Sequence, residues 1–209
     1  TRARELTPQI GESPELARVL VGLADVYLLK GDVATMHEVA HEALTAAERT
    51  GDPFDRLSAH EEVGVCLLPQ GHFSQALQHF EQSIELYDPS THGSLAYAVA
   101  LDRGVHAHGF AALCLVYLGH PDRALAMSEE AVALAKRVEH QLGLANVLFW
   151  AGIVHFERGE VDRTRERAEE VVGLAERLGF PLYLALGKVL RGWARVESGE
   201  SEVDIAAMQ

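Results

Sequence analysis

The residues best placed for chemistry are His37-Glu38-Val39-Ala40-His41. Histidines four apart on a helix share one face and can bind zinc through two imidazoles, with the intervening glutamate as general base. Glu61, 20 residues beyond His41, stands where a following helix could add a third ligand. The same stretch also fits a helix without metal. Met36, Ala40 and Ala43 mark an apolar face, which leaves His37 and His41 beside the polar one. A zinc peptidase further needs a cleft and an edge strand to hold its substrate, and no strand pattern occurs in the sequence. Zinc hydrolysis through His37 and His41 is kept as an alternative; the expectation is no catalytic residue, no metal and no cofactor.

Other chemistry-bearing spacings are weaker. Gly187-Lys188-Val189 lacks the upstream glycine and the hydroxyl residue of a phosphate-binding loop. His106 and His108 are two apart, so on a helix their rings diverge, as in a solvated or capping pair. Cys66 and Cys114 each lie five residues before a glycine. They are expected as buried, reduced thiols of a cytoplasmic protein.

Charge excludes further classes. The formal net charge is −13, and the basic run Arg163–Arg167 is followed at once by Glu169 and Glu170. Without a basic stripe, nucleic acid is not an expected partner. The longest apolar run, Ala111 to Leu118, is far short of the roughly 20 residues that span a bilayer. No membrane span and no signal peptide are expected. The chain starts without Met and stops in mid-pattern, so it reads as a fragment of a larger protein.

The elements that must position any site come from an internal repeat. Gly31, Gly71, Gly119, Gly159 and Gly199 follow one another at 40, 48, 40 and 40 residues. Each closes an apolar helical stretch, as a glycine in the left-handed conformation does at a helix end. Seven residues before them stand Ala24, Gly64, Ala112, Gly152 and Gly192, all small enough for two antiparallel helices to cross closely. Five residues after the first four stand Met36, Ala76, Ala124 and Thr164, and four further on Ala40, Phe80, Ser128 and Ala168. First helices are predicted near 14–30, 53–69, 105–118, 140–158 and 181–198. Second helices are predicted near 33–49, 73–87, 121–138 and 161–178, with a fifth beginning near Glu202. Ser13 suits an N-cap before Pro14.

The expected fold is all-α: a right-handed α-α superhelix of about four and a half hairpins, with repeats of about 40 residues. It forms one domain, with repeats near 13–51, 52–88, 105–139, 140–179 and 180–209. An irregular insertion spans 88–104, where Tyr87, His92, Asp102 and Arg103 could form one wall of a pocket.

The small-residue pairs, the turn glycines and the residue two later (Val33, Phe73, Val161) resemble the tetratricopeptide repeat. Longer stretches resemble the C-terminal repeat region of large bacterial signalling proteins. These are Leu86-Tyr87-Asp88-Pro89 with His92, Leu118 through Leu125, and Phe180-Pro181-Leu182 through Leu190-Arg191-Gly192-Trp193-Ala194. In those proteins a class III nucleotide cyclase or kinase domain and a predicted ATPase module precede such repeats. Arg103 stands where the resemblance has proline. The resemblance implies a non-enzymatic, transcriptional-regulator-like repeat domain that binds proteins in the cytoplasm.

In a stack of hairpins the first helices line the concave side. Reading about 6, 9, 10 and 13 residues before each turn glycine gives Arg18, Asp25, Glu61, Glu62, His106, Phe110, Asn146, Phe149, Trp150 and Trp193. Carboxylates gather toward one end and aromatics toward the other. The expected partner on this groove is a protein or peptide, or the chain's own upstream domains; the alternative is a metabolite sensed by the groove. The C-terminal end is expected to leave Leu190 and Trp193 uncovered, inviting self-association.

Overall fold

The computed structural model describes residues 15–93 and 102–199. Ser13, Pro14, residues 94–101 of the insertion and the expected helix from Glu202 lie outside the described residues. Among the described residues ten α-helices follow one another: α1 Leu16–Leu29, α2 Val33–Thr50, α3 Pro53–Leu67, α4 Phe73–Leu86, the single turn α5 Pro89–His92, α6 Arg103–Tyr117, α7 Pro121–Val138, α8 Gln141–Glu157, α9 Val161–Leu178 and α10 Pro181–Glu197. A 3-10 turn, Leu68–Gln70, extends α3. Among the described residues there is no strand, and the fold is all-helical as expected. The chain divides into two compact units, Thr1–Ser94 and Leu95–Gln209. The first holds α1 to α5, the second α6 to α10.

Local chemistry sets the helix ends. Asp32, Asp52 and Asp102 accept the backbone N–H of Thr35, Asp55 and Val105, and Pro53, Pro121 and Pro181 take first-turn positions. The five marker glycines all turn left-handed, with φ between 70° and 80°. After four of them the next N–H reaches back five residues: Asp32 to Tyr27, His72 to Leu67, His120 to Leu115 and Glu160 to His155. This closes the C-terminal carbonyls in a Schellman turn.

A second set of left-handed corners, at Gly51, Gly179 and Glu139, joins one hairpin to the next. The start of α6 differs from expectation. The helix expected from Val105 begins two residues earlier, because Asp102 caps the Val105 N–H at 3.0 Å and draws Arg103 and Gly104, expected in the insertion, into the first turn.

Small residues let the helices close up. In unit 1, a Cβ on Gly64 would lie 2.5 Å from the Phe80 ring of α4. In unit 2, a Cβ on Gly152 would lie 2.5 Å from Leu190 of α10 and 3.4 Å from Arg167 Cβ of α9. Met36, Ala76, Ala124 and Thr164 are completely buried, as their shared register requires. At the last described helix the expectation is corrected for Leu190, which is buried against Gly152, whereas Trp193 keeps partial exposure with its ring edge-on to Phe156 at 4.5 Å. The apolar residues left open on α10 are Leu182, Val189 and Val196, 61, 54 and 47% exposed.

Two substitutions test this packing by urea unfolding. Glu139→Gly relieves a left-handed glutamate and is expected to stabilise by about 0.5–1 kcal/mol. Gly64→Ala drives a methyl into the buried Phe80 ring and is expected to cost about 1–3 kcal/mol.

Candidate functional site

In unit 2 the first helices α6, α8 and α10 bring most of the expected aromatic residues together. His106 meets Phe110 edge-on at 4.4 Å within α6, Phe110 meets Trp150 of α8 at 4.9 Å, and Phe149 meets Trp150 at 5.0 Å. Gly109 lies against the same helix: a Cβ there would meet Val147 at 3.5 Å and Trp150 at 3.6 Å, in ordinary van der Waals contact. Phe110 and Phe149 are buried, whereas His106 and Trp150 keep partial exposure and form the open edge. Trp193 sits apart from this cluster, against Phe156 in the contact of α8 with α10.

Asn146, one turn before Trp150, donates its Nδ2–H to Tyr183 Oη of α10 at 3.0 Å. Its Oδ1 and the Trp150 indole N–H are both shut from solvent and meet no hydrogen-bond partner. Asn146 itself is 6% exposed. A buried donor and acceptor one helical turn apart, both unmet, form an arrangement that a packed core normally avoids. Burial lifts the Tyr183 phenol above its ordinary range. Sequence reading missed Tyr183, although it stands on α10 among the positions that face α8, 37 residues beyond its partner.

In unit 1 the expected polar residues are held inside the packing. Arg18 Nε donates to Asp55 Oδ1 at 2.6 Å, joining α1 to α3. Burial raises the Asp55 carboxyl in spite of Arg18, and the bond to Asp55 raises the Arg18 guanidinium in turn. Glu61 and Glu62 are fully buried on α3, and Asp25 is half-buried on α1. This face therefore presents few of its carboxylates to a partner.

The remaining candidates resolve into local structure. His37 and His41 stack at 4.5 Å with Met36, Ala40 and Ala43 buried beside them. Among the described residues no three His, Cys, Asp or Glu side chains are arranged to hold a metal ion. His108 is not solvated: it is buried, and its Nδ1–H donates to the Gly104 carbonyl at 2.7 Å. Asp102 and Arg103, expected on a pocket wall with Tyr87 and His92, are buried at the start of α6 and front no surface. His92 instead accepts the Asp88 N–H at 3.0 Å and lies 5.9 Å from both Phe54 and Tyr87. Cys66 and Cys114 are free and buried, and burial pushes their thiols up to about 11 and about 12, away from the thiolate form. Among the described residues no helix is long and apolar enough to cross a membrane.

Comparison with known proteins places this architecture. Residues 15–88 match the tetratricopeptide repeat. No curated protein matches the sequence. Among solved structures, BtubC from P. vanneervenii is 18% identical with a TM-score of 0.72, covering 98% of this chain and 85% of its own. A Rap protein complexed with competence and sporulation factor is 12% identical with a TM-score of 0.77; 98% of this chain aligns to 56% of that one. YrrB, a tetratricopeptide protein with an unusual peptide-binding site, is 16% identical with a TM-score of 0.52, covering 96% of this chain and 87% of its own. The fold is thus a tetratricopeptide-like array of helical hairpins.

Replacing Asn146 and Tyr183 together tests whether these polar groups serve stability. The double variant Asn146→Leu, Tyr183→Phe removes both partners and the unmet Oδ1, so it should be as stable as the natural chain or more so in chemical denaturation. Tyr183→Phe alone should cost about 1 kcal/mol.

Proposed function

We propose that this chain is a docking module, and that the face built by α6, α8 and α10 of unit 2 holds a polypeptide segment. One observation carries the reading: the unmet Asn146 Oδ1 and Trp150 N–H stand one turn apart beside His106, Phe110 and Phe149. An unpaired buried polar group costs about 1–3 kcal/mol. A polypeptide backbone offers N–H and C=O groups side by side and can satisfy both, while one of its side chains rests on the aromatic rings. Trp150 keeps partial exposure, so an outward turn of its ring brings its N–H to an incoming chain.

Solved relatives support the reading. The Rap protein is complexed with competence and sporulation factor, and YrrB carries a peptide-binding site. In this reading the segment docked belongs to a partner protein or to other domains of a larger cytoplasmic signalling protein. The chain itself carries out no bond chemistry.

The test is selection of peptides from a display library on the purified chain, followed by titration against variants. Asn146→Ala and Trp150→Ala should each weaken the selected peptides by about tenfold or more, the effect of losing a central contact. Arg18→Ala in unit 1 should leave them unchanged. Peptides indifferent to both unit 2 substitutions would overturn the proposal.

A further inference from the structure

Unit 1 holds four imidazoles in succession across three helices: His37 and His41 on α2, His60 on α3 and His79 on α4. The His37 and His41 rings stand 4.5 Å apart, and the His60 and His79 rings 5.3 Å apart. The two pairs are close enough for His41 to act on His79 electrostatically. At the centre, Nδ1 of His60 lies 3.1 Å from Nδ1 of His79, with His60 only 7% exposed.

Two Nδ1 atoms at this separation share a single proton, one ring donating and the other accepting. A second proton would set two N–H groups and two positive charges head to head. The surroundings offer little relief. The charges that act on His60 are cationic, His79 from α4 and Arg56 from one turn earlier on α3, and those on His79 and His41 are further histidines. The carboxylates next along α3, Glu61 and Glu62, are themselves fully buried. Burial, reinforced by these neighbours, takes His60 down to about 4 and holds His79 and His41 below their ordinary range.

We propose that this cluster is an acid-operated latch: with its rings neutral it clamps α3 to α4 beside α2, and proton uptake forces the His60–His79 pair apart and loosens the second hairpin. Stability is complete above the ordinary imidazole range near 6.5, where neither folded nor unfolded chain binds the proton. It falls as the pH drops toward about 4, because in that window the unfolded state binds more protons. From His60 alone, the folding constant at pH 5 should be roughly 20-fold below its value at pH 7. This differs from the docking face in place and in chemistry, since both tryptophans lie in unit 2.

Hydrogen exchange, corrected for intrinsic rates, tests the latch on the whole chain. Amide protection in α3 and α4 should fall at least about tenfold between pH 7.5 and pH 5. In His60→Gln, His79→Gln, where two amides keep a donor–acceptor pair that does not titrate, the fall should disappear. An equal fall in the double variant, or no fall in the natural chain, would overturn the proposal. Should that variant not fold, NMR titration of the imidazoles in the natural chain decides. His60 neutral down to pH 5 supports the latch, and a His60 that titrates at or above 6 refutes it.

Discussion

The structure depends on how closely two helices can approach. At the crossing of α3 with α4 there is no room for even one methyl group on Gly64, and the same holds where Gly152 meets Leu190 of α10. Each hairpin is too thin to shield its own apolar face, so it must lie against the next. The repeated small residue is what permits that contact at short range. The buried set Met36, Ala76, Ala124 and Thr164 fits the same geometry, since this repeated register position leaves none of the four any exposed surface. Capping aspartates and left-handed corners then fix where each helix can begin and end, which holds the register from one hairpin to the next.

Close packing also explains why the polar residues of the first helices stand out. Most of the array is satisfied locally: Asp55 by Arg18, His140 by the Gly143 N–H, His155 by Glu160. Asn146 and Trp150 differ from the unmet buried hydroxyls of Ser58 and Ser83 in setting an open acceptor and an open donor one turn apart on one helix. Such a cost persists in a fold with abundant small apolar alternatives only where something other than stability is served. The His60–His79 pair raises a related point in unit 1. It is satisfied, but only in one protonation state, and so ties the packing of a hairpin to the proton concentration.

The repeat was legible because glycine at a helix end has a backbone reason that survives sequence divergence. From Gly31, Gly71, Gly119, Gly159 and Gly199 the helix limits follow to within one or two residues over most of the chain. The second corner set falls at the expected repeat ends 51, 139 and 179, but its shared left-handed turn was hidden because Glu139 breaks the glycine pattern between Gly51 and Gly179. The start of α6 was placed two residues late, because the Asp102 cap that draws Arg103 and Gly104 into the helix acts through a side chain. Within the site, the aromatic cluster of His106, Phe110 and Trp150 was visible in register. The bonds of Asn146 to Tyr183 and of His60 to His79 were not, since register gives a residue's face and leaves its rotamer open. Nor does periodicity reveal that Glu61 is wholly buried, or that the contacts divide into two compact units.

The central claim is that the polar pair of α8 is held for a bound chain. The most direct measurement is an NMR titration of a display-selected peptide, following the two tryptophan indole N–H signals and the Asn146 side-chain amide. The account predicts that the Trp150 and Asn146 signals move together into a hydrogen-bonded environment while Trp193, stacked on Phe156, stays in place. Movement of the Trp193 signal with Trp150 and Asn146 unmoved would contradict it.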